Sequence, residues 1–131
     1  LPISNLDMDT NFGNNGVCNV QLSILHDTFS DVAIMTDGSY LLLGQSTENT
    51  SGVVVKVSPS GVVDETFGNS GIFTLPWPDT EEVVYPSRVL YVSNNKLLII
   101  GGKKKKTQTG SVPALYRINV SGSVDNSFNG N

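Results

Sequence analysis

Cysteine, histidine and tryptophan each occur once in this chain of 131 residues, as Cys18, His26 and Trp77. A single cysteine excludes an intrachain disulfide, and no neighbour in sequence lowers the thiol pKa, so Cys18 reads as a small buried strand residue. With one histidine and no serine or cysteine placed beside it, a nucleophilic triad is unsupported. Gly101-Gly102-Lys103 lacks the upstream glycine and the following serine or threonine of a phosphate loop. No stretch approaches the roughly 18 to 20 apolar residues of a membrane-spanning helix. No window sustains the 3.6-residue apolar spacing of an amphipathic helix, and Gly, Pro, Ser, Asn and Asp interrupt the chain too often for helices of ordinary length. The first residue is leucine, which reads as a processed or excerpted chain from which any signal peptide is already gone.

What the chain has in abundance is repetition. Met8 to Gly16 reads MDTNFGNNG, Val63 to Gly71 reads VDETFGNSG and Val124 to Gly130 reads VDNSFNG. Asp9, Asp64 and Asp125 are spaced by 55 and 61 residues, and Phe12, Phe67 and Phe128 keep the same spacings. Fixed-period self-similarity marks a tandem array of supersecondary units. Val32 to Gly44 aligns on Val89 to Gly101 at an offset of 57, and Val53 to Asp64 aligns on Ala114 to Asp125 at an offset of 61. The insertions therefore fall in connections while the apolar segments keep their length, as in a sheet with variable loops. The chain divides into residues 1–16 (an N-terminal motif), 17–71 (one unit with its closing motif) and 72–131 (a second unit with its closing motif).

Each unit carries four short runs of β-branched and large apolar residues, in the second Ile72 to Leu75, Arg88 to Val92, Leu97 to Ile100 and Ala114 to Val120. The second and third runs are joined by Asp37-Gly38 in one unit and Asn94-Asn95 in the other, residue types suited to the positive φ of a type I′ hairpin turn. Leu41 to Leu43 and Leu97 to Ile100 are apolar without alternation, the pattern of an inner strand covered on both faces; Leu42 and Ile99 are expected in equivalent core environments. The predicted fold is all-β, two four-stranded antiparallel blades of a β-propeller.

On these residues the chain resembles the delta-60 type of bacterial β-propeller repeat, a family of unknown function with a hydrophobic-Asp-x-x-Phe-Gly-x-x-Gly motif. Asp37-Gly38-Ser39, Gly44 and Arg117-Ile118-Asn119 stand at the family's turn, strand-end and Arg-hydrophobic-Asn positions, with looser versions at Asn94-Asn95-Lys96 and Lys56-Val57-Ser58. The third motif departs, with Asn129 where glycine is usual. The resemblance implies no established activity and a secreted or surface-attached bacterial product.

Two blades leave open sheet edges and apolar faces. Three arrangements satisfy them: an excerpt of a longer propeller, several copies in one ring, or two sheets packed in a smaller compact form. Residues 1–87 hold eleven acids and one base, while residues 88–131 hold seven bases and one acid, so copies meeting head to tail juxtapose opposite charges. Expected partners are a protein or further copies of the chain that complete the propeller, with a glycan as the alternative; no nucleic acid, membrane span or cofactor is expected.

The motif residues Asp9, Phe12, Gly13, Asp64, Phe67, Gly68, Asp125 and Phe128 have a sufficient structural explanation. Asp accepts backbone N–H bonds in a tight turn, Gly supplies positive φ and Phe fills the gap between blades. Asp7, Asp9 and Asn11 imitate the opening of a calcium loop, but Phe12 stands where glycine is needed and Cys18 where a bidentate glutamate is needed, so no metal is assigned. Lys103, Lys104, Lys105 and Lys106 form a candidate anion-binding run, expected at a loop tip and lacking the aromatic or arginine neighbours of a nucleic-acid site. Trp77, held between Pro76 and Pro78 beside Asp79, Glu81 and Glu82, is the candidate platform for a sugar ring, against packing on a neighbouring blade. Adjacent carboxylates on one loop do not make a glycosidase pair. The expected function is a non-catalytic structural or protein-interaction module of a larger secreted or cell-surface assembly. A lectin-like module using Trp77 is the alternative, and a fragment of a propeller hydrolase the weaker one.

Overall fold

A computed structural model describes residues 7–22, 27–46, 51–75 and 81–128. Seven strands run in order: β1 Asp27–Ile34, β2 Tyr40–Ser46, β3 Ser51–Val57, β4 Ile72–Leu75, β5 Glu82–Val92, β6 Lys96–Lys105 and β7 Val112–Asn119. They form two antiparallel meanders, one of β1-β2-β3-β4 and one of β5-β6-β7. The fold is all-β, and among the described residues no helix is long and apolar enough to cross a membrane. The two sheets stack face to face and do not by themselves close a ring.

One expected grouping is corrected. Ile72–Leu75, read as the opening strand of the second unit, pairs with β3 in the first sheet, Val54 opposite Phe73 and Gly52 opposite Leu75. The second sheet accordingly has three strands among the described residues, not four. A strand that follows each motif folds back onto the sheet before it, because the motif reverses the chain within a few residues.

Both hairpins are equivalent, but neither is the expected two-residue type. Ile34 pairs with Tyr40 and Val92 with Lys96; the Met35 N–H donates to the Ser39 carbonyl at 2.8 Å and the Gly38 N–H to the Met35 carbonyl at 3.0 Å. These are three-residue loops. Only Gly38 takes positive φ in the first (83°), while Asn94 and Asn95 both do in the second (64° and 57°); the three-residue hairpin places its left-handed residue last, where Gly or Asn fits.

A bulge also recurs. Ser30 and Ser87 stand unpaired in β1 and β5, and each hydroxyl donates to the carbonyl of the neighbouring strand, Leu43 at 3.3 Å and Ile100 at 3.0 Å. Opposite the bulges, a Cβ on Gly44 would lie 2.2 Å from the Thr28 carbonyl oxygen and one on Gly101 2.3 Å from that of Tyr85. The strand-ending glycine is thus required by the close approach of a bulged neighbour.

The core lies between the sheets. Leu41, Leu43, Val54, Phe73 and Leu75 of the first sheet meet Val84, Val89, Leu97, Ile99 and Ile118 of the second, with Phe67 and Met35 at the margin. Ile99 is fully buried, whereas Leu42, its counterpart at an offset of 57, is only half-buried on the opposite side of its sheet. The expectation that both are equivalent core positions therefore fails: the two sheets turn opposite faces toward each other.

Candidate functional site

The three motifs share one conformation. The Phe12, Phe67 and Phe128 N–H groups donate to the carbonyls of Asp9, Asp64 and Asp125 at 3.0, 3.0 and 3.1 Å. The carboxylate of each aspartate accepts the N–H two residues on, from Asn11, Thr66 and Ser127, at 3.0, 3.1 and 3.1 Å. Aspartate is suited to this position because its short side chain bonds its own turn. Gly16 and Gly71 then donate to the Phe12 and Phe67 carbonyls at 2.7 and 2.8 Å.

The second and third motifs add a cation from the preceding strand. Lys56 Nζ lies 2.8 Å from Asp64 Oδ2, and Arg117 Nε, its counterpart at an offset of 61, lies 2.5 Å from Asp125 Oδ2, with Lys96 Nζ at 3.3 Å. The bonds from Lys56 and Thr66 lower the Asp64 pKa to about 2. Bonds from Ser127 and then Arg117 hold Asp125 well below the ordinary carboxylate range. Arg117 also covers the Phe128 ring, 4.6 Å from its centroid. These carboxylates are occupied in the scaffold and stay ionised, the opposite of a general acid.

Each of the first two motifs is bolted to the following unit. The Gly13 N–H donates to the Ser60 carbonyl at 2.7 Å and the Gly68 N–H to the Ser121 carbonyl at 2.9 Å. The serines belong to Ser-Gly turns after β3 and β7, where Gly61 and Gly122 have φ of 81° and 75°. A Cβ on either would fall 2.4 Å from the motif glycine's nitrogen and 3.1 Å from the ring of Phe12 or Phe67. Phe67 is fully buried there, and Phe12 meets Tyr40 edge-on at 5.8 Å between centroids. The turns were visible in the aligned block at an offset of 61; their role as receivers was not, because it lies in a contact between units.

Across the sheets, Asp31 in β1 accepts the Val89 N–H at 2.8 Å and stands 4.0 Å from the Arg88 guanidinium. Ser30 Oγ reaches the Pro86 carbonyl at 3.3 Å. Asp31 and Arg88 occupy equivalent places in their units, a pairing across a distance in sequence that no local motif marks.

The remaining candidates are dispersed. Trp77 and Asp79 lie outside the described residues, as does His26, while Glu81 stands before β5, its carbonyl accepting the Lys106 N–H at 2.9 Å. The lysine run is not at a loop tip: Lys103, Lys104 and Lys105 belong to β6 and only Lys106 enters the turn. Strand alternation separates their side chains, since Lys103 pairs with Glu82 at 2.9 Å and Lys104 lies over the Tyr85 ring at 5.9 Å. Asp7, Asp9 and Asn11 gather no third carboxylate; no group of three or more His, Cys, Asp or Glu suited to a metal occurs among the described residues. An open groove of about 420 Å³ beside the first latch is lined by Gly13, Val17, Cys18, Gly61 and Val62 among others, with no charged side chain.

No curated protein and no solved structure matches the chain. A family model does, over the segment that begins at the second hairpin turn, runs through β6 and β7 and ends on the third motif. Residues 93–128 carry a repeat of the family described as a domain of unknown function (DUF5122) β-propeller.

Proposed function

We propose that the chain is a structural and protein-interaction module, a non-catalytic stretch of β-propeller repeats that works by stacking against further sheets in a larger secreted or cell-surface assembly. One observation carries this reading: the only side-chain constellation repeated in every unit, the Asp-x-x-Phe motif, spends its polar atoms on its own turn and, in two units, on a neighbouring cation. Its ring and its glycine are spent on the next unit. Chemistry needs a group left available to a ligand, and the motif leaves none.

The test is a glycan array and a panel of chromogenic glycosides and esters presented to the full chain. The expected result is no binding or turnover, alongside loss of stability when Phe67 is truncated. Binding of a defined glycan that disappears in Trp77→Ala, or turnover of any substrate by the purified chain, refutes the reading.

A further inference from the structure

The contact between the two sheets is built from opposite faces, and each face left open repeats the half that the contact lacks. Sheet 1 buries Leu41, Leu43 and Val54, whose counterparts in sheet 2 are Leu98, Ile100 and Leu115; of these Ile100 and Leu115 are 38% and 48% exposed. Sheet 2 buries Val89 and Ile99, whose counterparts in sheet 1 are Val32, 53% exposed, and half-buried Leu42. Strand pairing aligns these residues into continuous patches: Val32 beside Leu42 in one sheet, Ile100 beside Leu115 and Leu90 beside Leu98 in the other. Exposed apolar patches of this kind mark interaction surfaces.

We propose that the open face of sheet 2 docks onto the open face of sheet 1 in a second copy of this chain, in the same relative placement that the two sheets adopt within one copy. The proposal rests on the reading of the chain as a stacking module and names its partner. Charge supports a second copy. Within the chain Asp31 faces Arg88 from the equivalent position; repeating the placement puts Arg88 of one copy against Asp31 of the next, again of opposite sign. The wider balance agrees, with eleven acids and one base over residues 1–87 against seven bases and one acid over residues 88–131. The Ser60 turn of the receiving copy is already filled by that copy's own first motif, so Phe128 of the docking copy turns away from the place that Phe12 holds. The contact is heterologous, so assembly continues beyond a dimer until a ring closes.

Sedimentation velocity on the full chain, with circular dichroism to confirm folding, provides the test through two charge substitutions at exposed positions. Leu90→Arg disables the face of sheet 2 and Val32→Arg that of sheet 1. Wild type should associate at micromolar concentration, each variant alone should be monomeric, with association weakened at least about tenfold, and an equimolar mixture should form a heterodimer from the one intact face in each. A monomeric wild type, association that survives either substitution, or a mixture that stays monomeric overturns the proposal. None of these outcomes bears on glycan binding or turnover, which decide the functional reading separately.

Discussion

Truncating Phe67 should be among the most damaging single changes to this protein. Its side chain is 1% exposed and seats a motif of one unit against the Gly122 turn of the next, with no space for even a Cβ between ring and turn. Phe67→Ala removes about 1.5 to 3 kcal/mol of apolar burial, and the cavity left behind raises the cost to about 3 to 5 kcal/mol. A domain of 131 residues has a total stability of roughly 6 to 20 kcal/mol at typical per-residue values. With a urea m-value of about 2 kcal/mol/M, the midpoint should fall by about 1.5 to 2.5 M. Phe12→Ala provides the internal control, since Phe12 is half-buried at the equivalent latch and should cost about 1 to 2 kcal/mol. Urea titrations followed by far-ultraviolet circular dichroism measure both. Equal shifts for the two variants, or a shift below about 0.5 M for Phe67→Ala, would refute the latch as the seat of stability.

Ile99→Ala should cost about 2 to 5 kcal/mol and Leu42→Ala about 1, despite their identical place in the repeat, because only Ile99 faces the other sheet; thermal melts distinguish them. Gly122→Ala should destabilise by more than 1 kcal/mol or so, through both its φ of 75° and the 2.4 Å approach to Gly68, whereas Gly110→Ala, with nothing within 4 Å, should be near neutral in the same assay. Asp64 titrates at about 2 when folded against about 3.9 when unfolded, so its contribution is present above pH 4 or so and is lost as pH falls toward 2. Asp64→Asn should flatten that part of a stability-against-pH curve measured by urea midpoints. Lys103→Ala should change stability by less than about 1 kcal/mol, because its pair with Glu82 sits at a partly exposed strand edge.

The repeat made strand content, both hairpin sites and the motif turns legible, because each depends on residues close in sequence. Partnership between units was less so. Ile72–Leu75 joins the first sheet through pairing with Val55 to Gly52, a choice that strand composition cannot express. Leu42 and Ile99 look alike in sequence, and what separates them is which neighbour each sheet has. The lysine run looked like a surface loop because four cations seldom continue a strand, yet Lys103–Lys105 prolong β6 by pairing with Val84 to Glu82 and receive a carboxylate and an aromatic ring as neighbours. Asp31 and Arg88 gave no local signal at all, since their meaning arises only when equivalent strands of two units lie side by side.

The opposed faces of the two sheets also bear on how such a chain changes length over evolutionary time. A unit with one face of each kind carries both halves of a joint, so a duplication inserted between two neighbours supplies the contact it needs on either side, and a deletion leaves the flanking units able to meet. The same arrangement couples copies in an unequal way. A substitution on one face of a strand alters a single joint in the unit that bears it, but once spread through the array by gene conversion it strikes every joint from the same side. Selection in such a chain acts on pairs of unlike faces, and Val32 answers to a residue such as Leu90 or Ile100 in a different unit more than to its own counterpart Val89.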